Sequence, residues 1–186
     1  MTDRNQKLVD AAAAVFSRYG IGKTTMNDIA QEAGVSRQTL YNAFPNKEAV
    51  LRAVVRQKSL EALEAVVTAW AQQSDLSEQL ESFFVLGPLA WYDIVQASPD
   101  LAEILDGVNA IAEDEMKDLA RQFTCEIANL IRSHMPEGSA HHRDADGIAD
   151  FIYSTSKSAK VSAPDRNKLV SRLQVLKAAI LALVTP

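Results

Sequence analysis

The stretch "TTMNDIAQEAGVSRQTLYNAFPNK", residues 24 to 47, restricts the fold more than any other part of the chain. Thr25 with Asp28 three residues later reads as a helix start closed by a capping box. Ala33-Gly34 ends that helix. Ser36 opens a second, two-turn helix that has to stop before Pro45. The two helices need a small residue where they touch, and Ala30 is one. The turn needs a backbone that accepts the left-handed conformation, which Gly34 supplies. Ile29, Ala33, Val35, Leu40 and Ala43 are apolar anchors. The pattern predicts a helix-turn-helix.

The outer face of the second helix carries Arg37, Gln38, Tyr41 and Asn42, with Ser36 and Thr39 beside them. Arginine pairs with guanine, and glutamine and asparagine pair with adenine, through two hydrogen bonds each in the major groove. Hydroxyls and tyrosine more often hold phosphates. The set suits duplex DNA, with Leu40 turned inward. A solvated face of an ordinary helical bundle is the plainer alternative.

Net charge argues against nucleic acid until its distribution is read. The chain carries a formal charge of −5. Residues 1–58 hold nine Lys/Arg against five Asp/Glu, and residues 59–186 hold ten against nineteen. A basic head on an acidic body keeps a DNA partner open, because it is the local patch that meets phosphates.

The rest of the chain also reads as helices, with no period-2 runs. Leu8, Ala12, Val15, Phe16 and Tyr19 form a first stripe ended by Gly20. Asn46 caps a long helix running to about Gln73. Asp75 with Glu78 starts another, whose stripe is Leu76, Leu80, Phe83, Phe84, Trp91, Ile94 and Val95, kinked or broken by Pro88. Ser98 and Pro99 open a short helix, and a long one runs from about Val108 to Met135. "PEGSAHHR" is a loop. Two final helices, about 144–161 and 165–184, are separated by Pro164. The expected fold is all-α: an N-terminal three-helix helix-turn-helix DNA-binding domain over residues 1–47, then a helical bundle over 48–186, to which the resemblance described next assigns effector binding and dimerisation.

"GIGKTTMNDIAQEAGVSRQTLYNAFPNKEAVL" resembles the N-terminal DNA-binding domain of the tetracycline-repressor (TetR) family. The similarity covers about residues 7–55. It is carried by Tyr19-Gly20, Thr25, Ile29-Ala30, Ala33-Gly34-Val35-Ser36, Thr39-Leu40-Tyr41, Phe44 and Lys47-Glu48. The resemblance implies that Thr25, Tyr41 and Lys47 hold phosphates with Ser36 beside them, and that Arg37, Gln38, Thr39 and Asn42 face base edges. Lys47 also sits at a helix start, where free N–H groups favour an anion. Ala43 stands where family members often have Tyr or His, which removes a phosphate or groove contact. The resemblance further implies a homodimeric transcriptional repressor, released from a palindromic double-stranded DNA operator by a small-molecule effector.

In the body, Phe83, Trp91, Tyr92, Met116 and Phe123 are the expected walls of a pocket for a largely apolar effector. Plain core is the competing reading. Asn109, Gln122 and Cys125 are possible polar contacts there, although Cys125 reads first as a buried structural residue. Phe151, Ile152, Leu173, Leu176 and Ile180 lie on long apolar stripes of the last two helices. They are the expected interface of a four-helix bundle between subunits, or else the core of one chain. His134, His141 and His142 around one loop do not make a metal framework. One cysteine allows no intrachain disulfide. No signal peptide, membrane span, nucleophile elbow, phosphate loop or dinucleotide turn is visible. The expectations are a cytoplasmic regulator without metal or cofactor, not an enzyme. A DNA-binding protein governed by a protein partner, with no small-molecule effector, is the alternative.

Overall fold

A computed structural model describes residues 3–97, 113–137 and 144–184, and every regular element among them is helical. The short helix expected from Ser98, the start of the next one, Asn109, and both His141 and His142 lie outside the described residues. The described chain divides into one compact unit based on Met1–Ser59 and another based on Leu60–Ile94 and Lys117–Pro186.

The first unit holds α1 (Asp3–Tyr19), α2 (Met26–Glu32), α3 (Arg37–Ala43) and the opening turns of α4 (Lys47–Trp70). Leu8, Val9, Ala12, Val15 and Phe16 make the buried face of α1, and Ile29, Ala30 and Leu40 are buried from α2 and α3. Tyr19, expected in the first stripe, is exposed, with the Arg18 guanidinium 5.6 Å from its ring centre. Asn46 caps α4 by accepting a 2.8 Å bond from the Ala49 N–H. Val50, Leu51, Val54 and Val55 on α4 are buried. The division between units accordingly falls inside α4, between Ser59 and Leu60, rather than at residue 47.

The second unit contains the rest of α4, α5 (Leu76–Phe84), a π-helical segment (Val85–Leu89), most of α6 (Ala90–Ala97) and α7 (Glu113–Ser133), and then α8 (Ala145–Ser162) and α9 (Arg166–Val184). Its core gathers Leu80, Phe83, Phe84, Tyr92, Ile127, Ile131, Ile152, Leu169, Leu173 and Ile180, among others. The turn from α4 to α5 is closed by polar groups: Trp70 Nε1 donates to the Gln79 carbonyl at 2.7 Å, and the Gln79 amide donates to the Gln73 carbonyl at 3.0 Å. His134 Nε2 is 2.6 Å from Gln79 Oε1.

Pro88 does not break its helix. The helix widens to a π-turn over Val85–Leu89, which takes up one extra residue. The buried positions slip by one as a result. Pro88, Leu89 and Tyr92 follow Phe84 into the core, whereas Trp91 is only partly buried and Ile94 is exposed. In an uninterrupted α-helix Trp91, seven residues from Phe84, would share its face.

Candidate functional site

The α2–α3 junction is built from local bonds. Thr25 Oγ1 accepts from the Asp28 N–H at 3.3 Å, and an Asp28 carboxylate oxygen accepts from the Thr25 N–H at 2.8 Å. That same oxygen accepts from the Thr25 hydroxyl at 2.7 Å. These bonds hold the Asp28 carboxyl below its ordinary value, the Thr25 hydroxyl first and the Thr25 backbone second. At the other end of α2, the Gly34 N–H donates to Gln31 and the Val35 N–H to Ala30, with Gly34 at φ +66°. This is a Schellman stop, which satisfies the last carbonyls of α2 and aims the chain into α3. Ser36 then caps α3, accepting from the Thr39 N–H at 3.1 Å.

Leu40 is fully buried, which fixes the rotation of α3. Ser36, Arg37, Gln38, Tyr41 and Asn42 are consequently exposed, and Thr39 is partly so. Tyr41 keeps 44% of its surface in solvent. Gln38 Nε2 donates to Asn42 Oδ1 at 2.9 Å, one turn away. The Ser36 and Thr39 hydroxyls lie 3.0 Å apart. The structure thus brings six of the expected DNA-facing residues, 36–39, 41 and 42, onto one short helix.

Lys47 is placed differently from expectation. Its ammonium donates to the carbonyls of Ile21 at 2.9 Å, Thr24 at 3.1 Å and, more weakly, Gly22 at 3.4 Å. A lysine has three donors, and all three are directed at the turn between α1 and α2. The Thr24 hydroxyl completes that turn by donating to the Gly20 carbonyl at 2.7 Å. Lys47 is therefore a clamp on the segment that delivers the Thr25 cap, rather than a cation free for phosphate. The signal was absent from local spacing, since its acceptors lie 23 to 26 residues back. Thr25 is also less available than expected, because its hydroxyl proton is directed at Asp28.

In the second unit the expected pocket walls separate. Phe83 and Tyr92 are core residues, with Phe83 packed on Trp70 and Phe84 at ring-centre distances of 6.5 and 5.5 Å. Phe123 is buried and stacks on Tyr153 at 5.9 Å. Trp91 faces the Lys160 ammonium, 5.3 Å from its ring centre. The Met116 side chain lies outside the described residues. Among the described residues, open concavities lie around Arg18, Lys23 and Glu32 and around Glu64, Ala65 and Leu86. Neither is lined by Phe83, Trp91, Tyr92 or Phe123.

Four of the five expected dimer contacts need correction. Ile152, Leu173, Leu176 and Ile180 are buried in the core of their own chain, so their stripe is already covered. Phe151 alone is exposed, at 49%. Cys125, expected to be buried, is exposed: it lies two residues from both Phe123 and Ile127 and so points off their face. Gln122 is exposed as well. Among the described residues no group of three metal-binding side chains is found, and no helix is long and apolar enough to cross a membrane.

The sequence model for "Bacterial regulatory proteins, tetR family" matches residues 8–54. The HTH-type transcriptional regulator RutR of Escherichia coli O157:H7 is 41% identical over 162 residues, covering 87% of this chain and 76% of that protein. The HTH-type transcriptional regulator BetI of Agrobacterium fabrum is 30% identical over 115 residues, 55% of this chain and 56% of that one. For other curated relatives the match spans only 26% to 43% of their length. A TetR-family regulator from Pectobacterium atrosepticum shares the fold with a TM-score of 0.68 at 24% identity, covering 98% of this chain and 94% of that one. A transcriptional regulator from Cytophaga hutchinsonii does so with 0.74 at 19% identity, covering 97% and 98%.

Proposed function

This chain belongs to the tetR family of bacterial regulatory proteins, and we propose that it is a DNA-binding transcriptional regulator, a repressor rather than an enzyme, which reads duplex DNA through α3. The observation that carries this reading is the face of α3: a buried Leu40 on one side, and Arg37, Gln38, Tyr41 and Asn42 exposed on the other. Arg37 makes no hydrogen bond or ion pair to a described residue, so its guanidinium is available for the O6 and N7 of a guanine. The bond between Gln38 and Asn42 leaves Gln38 Oε1 as an acceptor and Asn42 Nδ2 as a donor. An adenine presents the matching donor and acceptor in the major groove, N6 and N7. Tyr41 and the Ser36 and Thr39 hydroxyls suit flanking phosphates and sugars.

The regulator acts as a homodimer whose two α3 helices enter successive major grooves of a near-palindromic operator. Exposed apolar side chains on the last two helices support such pairing, chiefly Phe151 on α8 with Val175 and Leu183 on α9. A small molecule held by the second unit lowers operator affinity, in proportion to its preference for the DNA-free form.

The experiment is selection of bound duplexes from a random pool, followed by binding of the Arg37→Ala, Gln38→Ala and Asn42→Ala proteins to the selected sequence and to random DNA. Base readout predicts losses of ~1–3 kcal/mol confined to the selected duplex. Recovery of no preferred sequence, or equal losses on both DNAs for all three variants, refutes the reading.

A further inference from the structure

We infer that the face of α8 from Tyr153 to Lys160, with Phe123 and Trp91 against it, is a binding site for a small carboxylate bearing a flat apolar group, such as an arylalkyl carboxylate. The inference rests on the regulator reading for its biological meaning, since such a compound would be the effector. Its chemistry stands on separate observations.

Tyr153, Ser156 and Lys160 follow one another at spacings of three and four, so they share one face of α8. Two of the three are polar groups without the partners that burial demands. Ser156 is 3% exposed, and its hydroxyl makes no hydrogen bond. A buried hydroxyl left unpaired is uncommon and destabilising. The Lys160 ammonium has no carboxylate or carbonyl partner among the described residues and rests over the Trp91 ring instead. Asp93, two residues beyond Trp91, is already engaged by Arg166 at 2.9 and 3.2 Å. Burial first, and the nearby Lys157 second, push the Lys160 ammonium down to about 8. The opposite charge of an arriving anion would offset the cost of burial and the repulsion together.

The surrounding charge has the same sign. The body is acidic, yet residues 157–172 hold five Lys/Arg and one Asp/Glu. Arg172 and Arg166 are themselves bonded, the first to the Ala159 carbonyl and Ser162 hydroxyl, the second to Asp93. Of the three lysines that remain, Lys157 and Lys168 are exposed, and Lys160 alone is partly buried, with its ammonium over a ring. At the other end, the Phe123 and Tyr153 rings are stacked at an angle of 29°, which gives a flat apolar wall. From Tyr153 to Lys160 the helix rises about 10 Å. That length spans a ring at the aromatic end and a carboxylate at Lys160, with the Ser156 hydroxyl, one turn from the ammonium, donating to the same carboxylate. Tyr153 and Lys160 are each partly exposed, so the stripe reaches solvent at both ends, while Ser156 lies closed between them. A bound carboxylate draws the ammonium off the Trp91 ring, which gives the site an optical signal.

The test titrates the full chain with phenylacetate, 3-phenylpropionate, 4-phenylbutyrate and 6-phenylhexanoate, and with the primary amide of each, by calorimetry and tryptophan fluorescence. At least one carboxylate should bind about tenfold more tightly than its amide and change the Trp91 emission. Lys160→Met should erase that preference, and Lys160→Arg should keep it. Ser156→Ala should weaken the carboxylate without lowering the melting temperature, because it removes an unpaired group. This variant keeps the test decisive if Lys160→Met fails to fold. The inference is overturned if no carboxylate exceeds its amide, or if Ser156→Ala and Lys160→Met both bind as the parent does. Binding of the selected duplex, measured on the same proteins without ligand, separates the two proposals. Carboxylate binding without duplex binding removes the regulator and leaves the site. Duplex binding without carboxylate preference does the reverse.

Discussion

Replacing Lys47 by methionine should unsettle the first unit before it alters contact with DNA. The ammonium donates to three carbonyls, two of them at 2.9 and 3.1 Å and one at 3.4 Å. Hydrogen bonds to a charged group contribute ~1.5–3 kcal/mol each in net terms where water cannot substitute. Here substitution is partial. Ile21 and Thr24 are buried while Gly22 is exposed, so water reaches only part of the cluster once the ammonium is gone. Counting the two short bonds and discounting for solvent, the loss comes to ~1–3 kcal/mol, since methionine keeps most of the stem's packing. Urea unfolding followed by helical circular dichroism reads this directly as an earlier midpoint. Operator affinity should fall with it, because Thr24 immediately precedes the Thr25 cap of α2. The salt dependence of binding should stay the same, since no phosphate contact is removed. A phosphate-binding lysine behaves in the opposite way: stability is kept, and the slope of log K against log salt drops by ~0.9. Observation of that second pattern refutes the clamp.

Gly34→Ala places a methyl where nothing lies within 4 Å, so only the backbone at φ +66° resists; a loss of ~1–2 kcal/mol in urea unfolding is expected. Lys160→Met should stabilise the protein at pH 7 by at most ~3 kcal/mol, the free-energy equivalent of moving a lysine from 10.5 to about 8. The sign follows from proton counts. Between those pH values the unfolded chain binds more protons, so the parent's penalty is complete below pH 8 and gone above 10.5. Melting curves of the two proteins should therefore converge across that window, and a gap that stays constant would assign the effect to packing. Val175→Glu should change the stability of the single chain by no more than ~0.5 kcal/mol, as its side chain is 69% exposed. If α9 pairs two subunits through that surface, the same change should yield monomers in sedimentation, and an undisturbed dimer would place the interface elsewhere.

What the sequence disclosed was local, and what it withheld was relational. The Thr25–Asp28 box, the Gly20 and Gly34 stops, the Ser36 and Asn46 caps and the burial of Leu40 all follow from residues within four or five positions of each other, where backbone chemistry decides. The all-helical fold follows likewise from apolar periodicity. The same periodicity marks Ile152, Leu173, Leu176 and Ile180 as inward, but inward toward what is a question of tertiary packing. They turn to their own chain. Lys47 was legible as a cation at a helix start and illegible as a clamp, because its acceptors belong to a turn two helices earlier. Trp91 and Tyr92 exchanged places for another reason. The stripe counted from Leu76 through Val95 assumes one pitch throughout, and one π-turn invalidates every position after it. Ser156 and Lys160 carried no signal in advance, since a serine and a lysine on a helix are ordinary until burial is known.

The π-turn also stores one residue of slack, whatever that residue is. Each residue of an α-helix turns the chain by about 100°, so a deletion in an ordinary helix rotates everything after it. Val85 is exposed and contributes little to the core. Deleting it lets the widened turn relax to an ordinary one, and Tyr92 becomes the seventh residue after Phe84, on the face it already occupies. Trp91 then stays beside the Lys160 ammonium. An added residue has no such outlet, because the turn is already widened, and should rotate Tyr92 out of the core. The segment works as a shim whose thickness is a single amino acid: it can be withdrawn without misaligning what it separates, but it cannot be doubled. Tryptophan emission should be kept on loss of Val85 and altered by one inserted residue, and the reverse pattern would show that α6 holds no register with α5.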